Sequence, residues 1–189
     1  FLGDSFTPSG IDDYCLQNRD FVQEGQGFLQ CLRILDGLPR QTWLINEHVE
    51  PMFRFDAAQR DRMRAELRKR RALLAELTPW PDANYAIDES WAAIHPYGTE
   101  ARRGERVTLQ VRIRNHTARP ETYRLSWNTP PGWRLTEADK EISVPPGKEA
   151  AAKAAFIAAE PGLQVVAADI GFAGRQLREW TEALVRVHP

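Results

Sequence analysis

Cysteine is nearly absent from this chain. The two it has in 189 residues, Cys15 and Cys31, supply neither a disulfide framework nor a Cys-x-x-Cys metal motif. The expectation is two buried thiols, with a bridge between them left open. An excess charge of one sign is missing as well. With 25 basic and 26 acidic side chains the formal net charge is -1, which removes any global argument for nucleic acid or an anionic membrane as a partner. No apolar run approaches the roughly 20 residues that span a bilayer. No secretory leader is legible, so a cytoplasmic and a secreted location both stay open. Repeats and low-complexity tracts are absent too. What remains is 42% apolar and 27% charged, the composition of a globular chain long enough for one large domain or two small ones.

The texture changes near residue 80. Before it the patterning is helical. Phe28, Leu32 and Leu35 recur at helical spacing within Phe21 to Leu35, although Gly25 and Gly27 weaken the start of that segment. Ala57 to Leu77 is the clearest helix, with Met63, Leu67, Leu74 and Leu77 as its apolar stripe. Asp56 and Gln59 have the spacing of a capping box there, and Pro79 and Pro81 stop the helix. Between the helices, "TWLIN" is short, apolar and β-prone, as a buried strand is. After residue 103 the pattern alternates. Val107, Leu109, Val111 and Ile113 face one way along "VTLQVRIRN", and Tyr123, Leu125 and Trp127 do so along "TYRLSW". "TPPGW" and "VPPGKE" are turns. "QLREWTEALVRV" fits strand or helix; the "FAGR" turn before it favours the strand of a hairpin. Strands at this spacing with no helix between them predict a β-sandwich.

Two short motifs carry chemistry. In "FLGDSFTP" an apolar segment ends in Gly-Asp, which sets the Asp4 carboxylate beside backbone that a ligand can approach closely. Taken alone it reads first as a turn aspartate bonding its own backbone. In "WLINEHVEP" His48 follows an apolar run and is bracketed by Glu47 and Glu50, a setting for a metal-ligating imidazole. If the two runs are parallel strands joined by a helix, Asp4 and His48 end at the same sheet edge, where α/β sites form.

This order resembles the C-terminal part of the metallo-β-lactamase-fold hydrolases, over roughly residues 1 to 80. The resemblance implies that Asp4 bridges two metals and that His48 is the last histidine ligand. It implies zinc, or iron or manganese, in a dinuclear centre, and metal-assisted hydrolysis of a small molecule whose identity the residues do not name. The family's His-x-His-x-Asp-His cluster has no counterpart here, since His95, His116 and His188 all fall later. The chain therefore reads as a fragment, inactive by itself, whose partner is the upstream half of that domain on the same parent chain or another. The competing reading is a non-catalytic interaction or ligand-binding module.

Other features weigh less. Asp12, Asp13, Tyr14 and Arg19 lie in a polar loop after the Gly-Asp turn, and Asp13, Tyr14 and Arg19 are the candidates to line a substrate mouth. The basic run at Arg64, Arg68, Lys69, Arg70 and Arg71 reads as a solvated helix face rather than a phosphate surface. "NHT" at Asn115 has the form of a glycosylation sequon. The strands and "P-x-GW" and "PPG" turns of residues 100 to 188 look like the immunoglobulin-like modules appended to bacterial hydrolases, the NEW3 type among them. That likeness implies an accessory sandwich without catalytic residues. The expected organisation is an α+β two-part chain: a partial αβ/βα metallo-β-lactamase-type segment over 1–80, a linker over 81–102 and an immunoglobulin-like β-sandwich over 103–189.

Overall fold

The helical periodicity after residue 21 takes a shorter span than expected in the computed structural model of the chain, which describes residues 1–12, 18–49, 52–80 and 82–189. Arg19–Val22 is a single 3-10 turn capped by Asn18, and α1 runs over Gly27–Asp36, burying Phe28, Leu32 and Leu35. Helix α2 (Ala57–Ala75) begins at the anticipated capping box, where the Asp56 carboxylate accepts from Gln59 N and the Gln59 side chain accepts from Asp56 N. Met63 and Leu67 of its stripe are buried, whereas Leu77, beyond the helix, is 64% exposed. A short α3 spans Asn84–Ile87. Two-residue strands β1 (Phe6–Thr7) and β2 (Gly10–Ile11) pair antiparallel. All of this lies in the first of two compact units, Phe1–Glu89.

That unit is built around aromatic rings. Phe6 is fully buried and meets Phe28 and Phe55 edge-on, with centroids 5.5 and 5.8 Å apart, the arrangement ring quadrupoles favour. Val22, Leu32, Leu35, Leu44, Phe53, Met63 and Leu67 complete the cluster. Its periphery is polar: Arg60 and Arg64 of α2 both pair with Asp36 at the end of α1.

The second unit, Ser90–Pro189, is a β-sandwich of immunoglobulin-like type. Its strands are β3 (Ala92–His95), β4 (Gly98–Arg102), β5 (Arg106–Arg114), β6 (Glu121–Asn128), β7 (Arg134–Ala138), β8 (Glu141–Val144), β9 (Glu149–Ile157), β10 (Gly162–Phe172) and β11 (Arg175–His188). One sheet has the order β4-β11-β10-β6-β8 and the other β3-β5-β9-β7. Every pairing is antiparallel except that of β4 with β11. The alternation along β5 buries Val107, Leu109, Val111 and Ile113. Both proline turns close as read: Trp133 N donates to Pro130 O and Lys148 N to Pro145 O, with Gly132 and Gly147 at positive φ, as a turn with proline second and glycine third requires. "QLREWTEALVRV" is a strand, joined to β10 through Ala173-Gly174. Trp127 and Trp133 pack against Phe156 at centroid distances of 5.4 and 6.4 Å. Residues 92–102 carry β3 and β4.

The expected fold class needs correction. Strand outweighs helix, 41% against 20%, and the chain is dominated by an all-β sandwich rather than shared with an αβ/βα metallo-β-lactamase-type segment. Among the described residues of the first unit, the strand contacts are the β1–β2 pair and one bridge between Leu44 and Phe53, both antiparallel. No parallel pair forms there, so the edge at which Asp4 and His48 were to meet does not exist. Of the runs "FL" and "TWLIN", Leu2 and Leu44 pack on the aromatic cluster while Phe1 and Trp43 stay exposed, a case that composition alone does not separate from a buried strand.

Candidate metal centre

Asp4 and His48 meet nonetheless, by another route. Leu2 N donates to Ile45 O (2.9 Å), which holds the first residues beside the run after Leu44. Asn46 then stitches the two segments. Its side chain is buried, Nδ2 donates to Phe6 O (2.8 Å) and Oδ1 accepts from His48 N (2.7 Å). The second bond closes a turn of the kind Asn and Asp side chains make two residues ahead. Gly3, at φ +54, turns the chain so that Ser5 N reaches back to Leu2 O. The result places His48 Nε2 2.8 Å from Asp4 Oδ1.

Glu47 joins them. One ligand atom from each of Asp4, Glu47 and His48 lies within 4.8 Å of the others, and all three residues are exposed. A ring nitrogen with two carboxylate oxygens suits zinc, manganese or iron. Two ligands of one ion, each about 2.1 Å from it, stand roughly 3.0–3.5 Å apart, so the Asp4–His48 pair needs to open by less than an ångström to admit one. Without an ion it is an imidazole–carboxylate contact between side chains 70% and 54% exposed, one that solvent screens strongly.

The remaining candidates are not brought to this cluster. Asp13 and Tyr14 lie outside the described residues. Arg19 is engaged elsewhere in its own unit, with Nε 2.7 Å from Glu89 Oε1 and Nη1 donating to Ala86 O at 3.0 Å. Two contributors escaped the sequence reading. In the sequence Glu47 reads only as a flanking charge and Asn46 has no evident role, although an amide at the end of an apolar run is a signal that its hydrogen bonds organise something. Cys31 is a free, half-buried thiol whose pKa burial raises, against a smaller lowering from a backbone hydrogen bond. Cys15 lies outside the described residues.

The sandwich has two polar clusters of its own, and both serve the fold. Asn115 is fully buried. Its Nδ2 donates to Arg119 O and Val144 O, and its Oδ1 accepts from Thr117 N and Thr117 Oγ1. The sequon reading is thereby corrected: both amide hydrogens are spent inside the fold and no glycan can reach them. Asp169 faces a bulge in β11, where pairing jumps from Ala168–Thr181 to Ile170–Leu177. The extra residues force Glu179 to φ +47, and Asp169 holds them by accepting from Glu179 N (2.8 Å), Asn128 Nδ2 (2.7 Å) and Ser126 Oγ (3.1 Å). Partial burial pushes the Asp169 carboxyl up. The three hydrogen bonds and the charge of Arg178 outweigh it and leave the pKa below the ordinary carboxylate value.

Comparison with known proteins bears on the fold alone. No protein-family model and no curated protein sequence matches the chain. Among solved structures it is similar to a FixG-related protein from Vibrio parahaemolyticus, at 12% identity over 44% of this chain and 80% of that one, with a TM-score of 0.37. Native alpha-2-macroglobulin of E. coli aligns at 16% identity over 52% of this chain and 6% of its own length, with a TM-score of 0.41. The cupredoxin domain of amoB from Nitrosocaldus yellowstonii aligns at 18% over 44% and 57%, with a TM-score of 0.31. These are all-β, immunoglobulin-like or cupredoxin-like folds, and nothing among them points to a metallo-β-lactamase fragment. The metallo-β-lactamase resemblance is withdrawn on the pairing of the first unit, which forms no parallel strands among the described residues. The dinuclear centre and the upstream half-domain that it implied lose their support, and the NEW3 likeness gives way to the broader immunoglobulin-like description.

Proposed function

We propose that this chain is a non-catalytic, ligand-binding module whose first unit holds a single divalent cation on Asp4, Glu47 and His48. The observation that supports this reading is the 2.8 Å approach of His48 Nε2 to Asp4 Oδ1, from residues 44 positions apart, with Glu47 beside them and the buried Asn46 bonding both segments. Side chains so far apart in sequence and so exposed come together only if the backbone places them. A borderline donor set of one imidazole and two carboxylates favours zinc, with manganese and iron as alternatives. The ion's role in this reading is to tie the N-terminal turn to the 46–49 loop and to offer its open positions to a ligand.

Metal content tests it. The chain loaded with zinc and desalted is expected to retain about one ion, and His48→Ala and Asp4→Ala are expected to retain almost none, because each removes one of about three protein ligands. Equal retention in the variants, or none in the parent chain, refutes the site.

A further inference from the structure

Helical spacing divides the basic run on α2 into two faces, and the structure shows what one of them lines. Arg64, Arg68 and Arg71, spaced i, i+4 and i+7, share one side of the helix. With Leu29 and Arg33 of α1, and with Glu24, they line a cavity of about 240 Å³. Four arginines and one glutamate thus line a space the size of a small ligand. Arg64 is already matched, by Asp36 and by Asp61 at 2.9 Å. The other three are not matched by any carboxylate among the described residues. Arg33 Nη1 donates to Gln30 Oε1, Arg71 Nη2 donates to Asn84 Oδ1, and Arg68 makes no side-chain hydrogen bond or ion pair with any described residue.

Arg71 adds a second observation. Its Nη1 is shielded from solvent and has no hydrogen-bond partner. A charged donor left in that state costs free energy, and like charges gathered at one cavity raise the cost further. An anion in the cavity, attracted by the charge of Arg71 and not by this enclosed nitrogen, relieves the second cost.

We propose that this cavity between α1 and α2 is a binding site for a phosphate group, either as the free ion or as the phosphoryl end of a small phosphomonoester. The fork geometry of guanidinium matches tetrahedral oxyanions through paired N–H donors. Four arginines against one glutamate in the lining favour a dianion over a monoanion. The volume admits phosphate and a short substituent, whereas a nucleic-acid backbone needs an extended groove. Leu29, the apolar member of the lining, offers a contact for such a substituent. The site is separate in its residues from Asp4, Glu47 and His48, and neither proposal depends on the other.

Isothermal titration with inorganic phosphate and, separately, with phenyl phosphate tests the site, each against chloride at matched ionic strength. Saturable binding at one site per chain is expected. Arg68→Gln, an exposed position whose loss leaves the core intact, is expected to weaken it about tenfold or more, the scale of a charge-assisted hydrogen bond. Arg71→Gln is expected to do the same. Arg62→Gln, on the same helix but not lining the cavity, is expected to leave binding unchanged. Tighter binding of phenyl phosphate assigns a phosphomonoester; tighter binding of phosphate assigns the free ion. Heats no different from chloride, or equal weakening by Arg62→Gln and Arg68→Gln, overturn the proposal, the second by showing only diffuse attraction.

Discussion

The two units each bury an asparagine, and the two amides are used differently. Asn115 in the sandwich is saturated: two donors and two acceptor sites all have partners within the fold. Asn46 in the helical unit makes two hydrogen bonds, one donated and one accepted, leaving one amide hydrogen unused. The first amide closes the end of a regular sandwich, where strand ladders satisfy most of the backbone. The second substitutes for the ladder that the segments around residues 2 and 46 lack. An irregular unit must spend side chains on positioning its backbone, and the groups it positions, Asp4 and His48, stand at its surface. Regular pairing in the sandwich leaves its polar clusters to stabilise turns and bulges.

This contrast is open to direct attack. The largest effect is expected at Asn115. Asn115→Ala removes the side-chain donor to Val144 O and the acceptor for Thr117 N, while Arg119 O keeps the Thr117 hydroxyl, and should lower unfolding stability by about 3 kcal/mol, read as a shift in the urea midpoint. A loss within experimental error would mean that water replaces the amide and that the sandwich end is looser than its hydrogen bonds imply. Asn46→Ala is expected to lose less, about 2 kcal/mol, because fewer bonds break. It should also lower zinc retention without altering any ligand. If retention is unchanged, Asn46 has no positioning role, and the proposed difference between the two amides disappears.

The smallest effect is expected at Asp169, and it carries a sign. Because its carboxyl titrates below the ordinary value in the folded chain, its ionised form stabilises the fold above the unfolded-state pKa, near 4. That contribution fades as pH falls through the lower folded-state value. Asp169→Asn should therefore destabilise the chain modestly at neutral pH, with the gap to the parent closing below about pH 4. A gap independent of pH would show that geometry at the bulge matters and charge does not.

Legibility differed between the units for a physical reason. In the sandwich, period-2 alternation along "VTLQVRIRN" and the proline-glycine turns correspond one to one with β5 and the two closed turns, since each strand buries one face and each turn needs its own residues. The ambiguous "QLREWTEALVRV" was decided by the preceding turn. In the first unit the capping box at Asp56 was equally legible, being a local device. "TWLIN" was not, because an apolar run reports burial and says nothing of how its backbone is paired. Read as a strand, the run implies parallel strands and a metallo-β-lactamase-like edge, which the antiparallel pairing of the first unit replaces.

By itself, then, the sequence determined what is local: caps, turns, the faces of alternating strands, and the kinds of side chain available for chemistry. Tertiary structure alone decided which of those side chains meet. Asp4 and His48 come within 2.8 Å through bonds made by Leu2 and Asn46, and the basic run on α2 became one arginine-lined cavity face only once α1 packed beside it. Such contacts depend on closing long loops, and the free energy that closes them comes from the aromatic cluster around Phe6, which no short stretch of the chain encodes.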